Sequence, residues 1–273
     1  MSRPWAFLGF QGRTLLPLLL LGLLLAGCGG GPPAPTVTPT PVSRVSESAS
    51  SAELDSLWTK ARYSIRHGKW GDASKHLGRA LLEFPPGDPR TAQAHFFLGE
   101  AQFALGSNLE AAREFRKVSD DTPDDPLAPE ALLRVGDAYA DLWRRPELDP
   151  SYGQTALSTY QELLNRYPGG TPAQRAQARI ADLQERFAYK EYKAALYYFR
   201  LKAYDSAILY LKDLVATYPR AKVAPDALIH LVQAYKTLGY KEDVQETCGY
   251  IRRFHPSTSG IGEACPTQPA GAS

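Results

Sequence analysis

One spacing rule recurs through the middle of this 273-residue chain and constrains its fold more than any other feature. A small residue is followed four positions on by an apolar one, then three further by another, and proline falls twelve after the first. Ala73, Leu77, Ala80 and Pro85 form the first copy, and Ala111, Phe115, Val118 and Pro123 the second. Ala156, Tyr160, Leu163 and Pro168 follow, then Ala207, Leu211, Leu214 and Pro219. Val244, Cys248, Ile251 and Pro256 give a degraded fifth copy. Offsets of four and seven place these residues on one helical face. Proline ends each helix because it lacks an amide proton and clashes with the preceding turn.

Each copy has a helical partner upstream, with Pro89, Pro129, Pro172 and Pro225 near the starts of those first helices, where a missing N–H costs little. Thr171 and Gln174 fit a capping box. Leu98, Gly99, Gly106, Ala111, Phe115 and Pro123 give the spacing of a tetratricopeptide repeat, two antiparallel helices with small residues where their backbones approach. The third copy holds an insertion around "WRRPELDPSYGQ", expected to form a protruding loop, and the fourth has a long first helix, about Ala173 to Arg200. No such unit buries its apolar side alone, so neighbours must stack. The expected fold is therefore all-α: a superhelical solenoid of five helix-turn-helix repeats over residues 51–256, its concave face lined by first helices.

The N-terminus has a different character. Arg3 and Arg13 precede an apolar run too short for a comfortable bilayer span, and the run ends in Leu25, Ala26, Gly27 and Cys28. A basic start, a short apolar segment and small terminal residues read as a signal peptide over residues 1–27. The last four residues match the lipobox of bacterial lipoproteins, which implies acylation at Cys28; the plainer alternative is a cysteine that merely lies at the end of the run. Residues 28–50, rich in Pro, Ser and Thr, read as a disordered linker reaching about 70 Å if extended. Residues 257–273 read as a flexible C-terminal tail. The signal removes two of the 31 basic residues and none of the 29 acidic ones, so the mature chain is formally neutral and has no general field to attract nucleic acid.

The reactive spacings of an enzyme are missing. His67, His76, His95, His230 and His255 form no ligand cluster on one helix, and "GCGGG" lacks the Lys and Ser/Thr of a phosphate loop. No catalytic residue, metal site or cofactor is expected. Cys248 and Cys265 either pair as a disulfide in an oxidising compartment or serve as a small core residue and a free tail thiol. Most aromatic residues read as packing. Trp58, Arg62, Phe96 and Phe103 fall at repeat positions that face the concave surface, as a peptide-binding set or as exposed or inter-repeat packing residues.

The lipobox, the repeats and the interrupted third unit together resemble the BamD family, the lipoprotein subunit of the outer-membrane β-barrel assembly machinery. The likeness is most specific in "ALSTYQELLNRYP", "KEYKAALYYFRLKAYDSAILYLKDLVATYP" and "DALIHLVQAYKTLG". It implies a non-enzymatic scaffold, lipid-anchored in the outer membrane and facing the periplasm. The implied partners are the POTRA region of the BamA-like barrel protein, other assembly-complex subunits, and unfolded outer-membrane protein precursors. Carried over, Trp58, Arg62, Phe96 and Phe103 become candidates for the precursor, and Lys212 with Tyr210 on the fourth repeat for the partner. Relatives place an arginine where this chain has Tyr210, so an ion pair is not implied there. A periplasmic repeat lipoprotein serving a cell-wall or cell-division complex is the competing reading.

Overall fold

The computed structural model describes residues 50–265. The signal segment, Cys28 and most of the linker lie outside them. Ten helices form five consecutive hairpins, with no strand among the described residues. The first pair is α1 (Ser51–Arg66) and α2 (Trp70–Glu83), the second α3 (Thr91–Ala104) and α4 (Asn108–Asp121), the third α5 (Ala128–Leu142) and α6 (Ser151–Arg166). The fourth is α7 (Gly170–Arg200) and α8 (Tyr204–Thr217), and the fifth α9 (Ala224–Leu238) and α10 (Lys241–Phe254). The short α11 (Ile261–Ala264) follows. Each helix packs against its neighbours in sequence, and α7 also touches α5 and α9. This is the tetratricopeptide solenoid.

The spacing rule is a burial rule. All three non-proline positions of every copy, from Ala73, Leu77 and Ala80 to Val244, Cys248 and Ile251, are buried. Every one of the five prolines sits two residues beyond the last helical residue, following Phe84, Thr122, Tyr167, Tyr218 and His255 at the C-caps. Those caps have left helical geometry, as the residue before a proline is pushed to do.

Small residues set how closely the helices meet. A Cβ on Gly99 would lie 2.7 Å from the Phe115 ring, and one on Gly136 would lie 2.3 Å from the Tyr160 ring. Within the hairpins, Gly68, Gly106 and Gly239 take positive φ at the turn, a region glycine enters without steric cost. The fourth hairpin places Lys202 there instead, at φ 59°.

The third hairpin replaces the tight turn by residues 143–150, and this insertion is not simply a protrusion. Trp143 folds under it, 2% exposed, stacked 4.6 Å from the Phe187 ring and pressed onto Gly153. Arg186 of α7 donates to the Trp143 carbonyl and Lys190 to the Leu148 carbonyl, so the long helix latches the loop. Leu148 and its neighbours form the exposed rim.

Two expectations are corrected at helix ends. The capping box on Thr171 does not form, because α7 begins at Gly170 and its N-cap, Gly169, has no side chain to donate or accept. A capping box forms instead at α1, where Ser50 and Glu53 bond each other's backbone amides. The second concerns the tail expected over residues 257–273, as far as Cys265; residues 266–273 lie outside the described residues. Residues 257–265 turn back on the last repeat, with Cys265 joined to Cys248 in a disulfide and Ala264 buried beside it. Lys236 of α9 donates to the Glu263 carbonyl. A tail fixed at both a bridge and an apolar contact loses the freedom its composition suggests.

Candidate docking surface

The first helices α5 and α7 present matched charge ladders. Glu130, Arg134, Asp137 and Asp141 lie on α5 at offsets of four, three and four, and Arg175, Arg179, Asp182 and Arg186 repeat those offsets on α7. Such spacing keeps each set on one side of its helix. Across the gap Arg175 Nη1 meets Glu130 Oε1 at 2.7 Å, and Arg179 Nε donates to Asp137 Oδ1 at 3.0 Å. On the other flank Arg134 pairs with Glu100 of α3. Between the ladders opens a cavity of about 350 Å³, lined by Phe103, Arg134, Asp137, Asp141, Arg144, Tyr160, Arg179, Asp182, Leu183 and Arg186, among others.

Asp137 is the hub. Its carboxylate is buried and accepts from the Tyr160 hydroxyl at 2.8 Å, from Arg179, and from Arg134 Nη1 at 3.1 Å. A buried charge is tolerated only when paired and hydrogen-bonded in this way. Burial, with the neighbouring Asp137 carboxylate, pushes the Tyr160 phenol well above its ordinary value, so it remains a donor. For Arg134, burial favours the neutral form, yet the carboxylates of Glu100 and Asp137 outweigh it and the guanidinium is held more firmly charged. That guanidinium also lies over the Phe103 ring, 4.3 Å from its centre. Asp141 is held below the usual carboxylate range chiefly by its hydrogen bond from Arg144, opposed by desolvation and aided by Asn108.

Of the four residues expected on the concave surface, Phe103 lines this cavity. Trp58 of the first repeat is half-buried against the Phe84 ring and against Phe97 of α3 in the second, and Phe96 stands edge-on to Phe97 and Phe115. Both rings therefore occupy the inter-helix packing that the sequence left open as their alternative. Arg62 is exposed on α1, apart from the cavity.

Tyr210 and Lys212 share α8 but not a surface. Tyr210 stacks on Tyr198 of α7, ring centres 5.2 Å apart, and their hydrogen bond raises its phenol pKa. Two residues on, Lys212 borders a second groove between α8, α9 and α10, floored by Val215, Leu228, Leu231 and Tyr235 with Asp243 and Glu246 at its edge. Residues two apart on a helix point in different directions.

Sequence reasoning missed Arg134, Asp137, Arg179 and Arg186 as site residues, and placed Tyr160 only in the core. The identical four-three-four offsets on consecutive first helices were the available signal, since they keep Arg175 within reach of Glu130 and Arg179 within reach of Asp137, one rung along.

Residues 51–249, which span the hairpins up to the middle of α10, match the family model described as YfiO, outer membrane lipoprotein. The chain belongs to this family. YfiO relatives include proteins named outer membrane protein assembly factor BamD. The one from Xylella fastidiosa (strain 9a5c) is 28% identical over 80% of this chain and 77% of its own length. The Vibrio cholerae O1 El Tor Inaba protein is 26% identical over 86% and 95%. Solved structures that align include a tetratricopeptide protein of Thermus thermophilus, at 19% identity and a TM-score of 0.36 over 76% of this chain and 94% of that one. Another, from Parabacteroides merdae, has 17% identity and a TM-score of 0.36 over 78% and 71%.

Proposed function

We propose that this YfiO-family chain is the lipoprotein subunit of an outer-membrane β-barrel assembly complex, a non-enzymatic scaffold that receives unfolded barrel precursors. The family match across the five repeats carries the reading, together with relatives named as outer-membrane assembly factors over most of this chain. The concave groove of α3, α5 and α7 is the proposed precursor side. The α8–α10 groove bordered by Lys212 is the proposed side for the POTRA region of a BamA-like barrel protein and its companion subunits. Attachment is assigned to acylated Cys28, outside the described residues, placing the repeats on the periplasmic side of the outer membrane. No described helix is long and apolar enough to cross a membrane.

The chemistry suits the task. A barrel precursor in water exposes unpaired strand edges and an apolar stripe, both of which drive aggregation. A tethered scaffold raises the local concentration of precursor beside the insertase without any covalent step.

Crosslinking in intact envelopes, followed by purification of the native lipoprotein, tests this reading. A POTRA-bearing barrel protein should be the main partner, and intact-mass analysis should find residue 28 acylated. Recovery of peptidoglycan synthases in its place would favour a cell-wall role, and an unmodified Cys28 would remove the anchor.

A further inference from the structure

Consecutive antiparallel helices send the turns within hairpins to one edge of the stack and the loops between hairpins to the other. The two edges differ. In four consecutive hairpins the turn carries a protruding apolar side chain: Leu105 at 53% exposed, Leu148 at 51%, Leu201 at 60% and Tyr240 at 45%. Among the described residues, no loop between hairpins carries an exposed large apolar residue. Such residues scattered singly mean little, but one at each successive tip makes a row. Charge follows the same division. The turns of the third to fifth hairpins, each taken with the helix residues that bound it, hold Arg144, Arg145, Arg200, Lys202 and Lys241 against Glu147 and Asp149. The loops bordering those hairpins balance Arg166, Arg220 and Lys222 against Asp121, Asp124 and Asp125. Arg144 is paired with Asp141, and Asp149 accepts from the Ser151 amide, whereas Arg145, Arg200, Lys202 and Lys241 make no ion pair among the described residues. Asp205 and Glu242 follow in the first turns of α8 and α10, where the helix dipole offsets their charge.

Lys202 is an independent sign. Among the described residues it is the one non-glycine residue with positive φ, at the position glycine fills in three other hairpins. A side chain kept in a strained conformation at a cost in stability points to a use for that side chain. Protruding tips suit a soft partner better than a rigid one: leucine and tyrosine enter a lipid interface unaided, and the lysines and arginines beside them meet phosphate headgroups. We propose that this edge, centred on Leu148, Leu201, Lys202 and Tyr240, lies against an anionic phospholipid surface with its tips among the headgroups. The inference rests on the lipid anchor proposed above. Residues 28–50 reach about 70 Å when extended, whereas α1, which separates Ser50 from the turn edge, is about 24 Å long, so an anchored chain can lie with this edge down. Anchorage also holds the surface at high local concentration, so weak contacts at each tip suffice.

The test is site-directed fluorescence on the full-length lipoprotein, incorporated into phosphatidylcholine vesicles that contain a spin-labelled quencher lipid, with or without phosphatidylglycerol. Acylation at Cys28 and the Cys248–Cys265 bridge leave an introduced cysteine as the free thiol. Leu148→Cys, Leu201→Cys and, in the loop before α5, Asp124→Cys therefore each take one apolar fluorophore. On anionic vesicles the labels on Leu148→Cys and Leu201→Cys should be quenched, and the label on Asp124→Cys should not. Lys202→Gly and Arg145→Gln, read through the Leu148→Cys label, should each lower the ratio of quenched to unquenched protein about five-fold, the share of one basic residue at such a surface. Salt well above physiological strength should lower it too. Quenching that ignores phosphatidylglycerol, that survives Lys202→Gly and Arg145→Gln together, or that is equal at the two edges would overturn the proposal. Vesicles that carry the protein yet leave both turn labels unquenched would overturn it while leaving the anchor intact; protein that does not float with the vesicles would remove anchor and surface together. Photocrosslinking from the Leu201 position to a protein in intact envelopes would assign the tips to that protein and overturn the lipid contact.

Discussion

The Tyr160 hydroxyl donates to Asp137 across the α5–α6 contact at 2.8 Å, and the same carboxylate holds arginines from two first helices. One buried side chain thus ties the hydrophobic core of the third repeat to the charged lining of the groove. Asp137→Ala should destabilise the protein by about 3 kcal/mol in urea denaturation, because it strands a buried hydroxyl and leaves Arg134 with one anion fewer. Tyr160→Phe removes only one hydrogen bond and should cost about 1 kcal/mol. Equal losses for the two variants would mean that Asp137 is no hub.

Glycine positions separate tight contacts from open ones. Gly136→Ala drives a Cβ into the Tyr160 ring and should cost about 1–3 kcal/mol as overpacking. Gly249, inside α10, has nothing within 4 Å of the place an added methyl would take, so Gly249→Ala should raise stability by up to about 1 kcal/mol through helix propensity. Thermal melts of the two single variants should shift in opposite directions.

Lys202 occupies the left-handed turn position that glycine fills in three other hairpins. The strain of a side chain there is about 1–2 kcal/mol, offset in part by the extra freedom glycine gives the unfolded chain. Lys202→Gly should therefore gain about 0.5–1 kcal/mol, read as a higher urea midpoint. A loss of stability would show that Lys202 makes a compensating contact.

Acid should weaken the fold. Asp88 is held low mainly by its hydrogen bond from Arg90, and Glu114 and Glu162 are held low by His95, Lys117, Arg116 and Arg166 against the opposing effect of burial. Groups with depressed folded-state pKa values stabilise above their unfolded values, 3.8 for aspartate and 4.5 for glutamate, and lose that contribution as pH falls through the folded values. Glu191, raised by burial and Asp213, works in the opposite sense and offsets part of the loss. The urea midpoint should decline from about pH 5 to about pH 3, and Asp88→Asn should flatten that decline.

The repeats were legible because packing at a helix crossing and proline at a helix end leave residue-type marks at fixed spacing. Ala111, Phe115 and Pro123 can be read without neighbours, since size and backbone restriction are properties of the residue itself. The groove was less legible, because Arg134 and Arg179 look like ordinary solvated charges until two helices set them around Asp137. The same limit applies to Trp143: an insertion rich in Arg and Pro suggests a loop, but its anchoring needs Phe187 and Gly153 from elsewhere in the chain. Residues 257–265 are ordered by tertiary contacts that their Gly, Ser and Thr content does not announce.

The bridge between Cys248 and Cys265 makes the two ends of the solenoid unequal. At the far end, α1 rests on a small cluster around Ala61, Leu77, Ala94 and Leu98, whereas the bridged end shares the extensive core of α7 to α11. In a stack joined chiefly through neighbours, opening begins where the interface is weakest. Heating should peel this protein like a zip from its first hairpin, with the cross-linked terminus the last to let go.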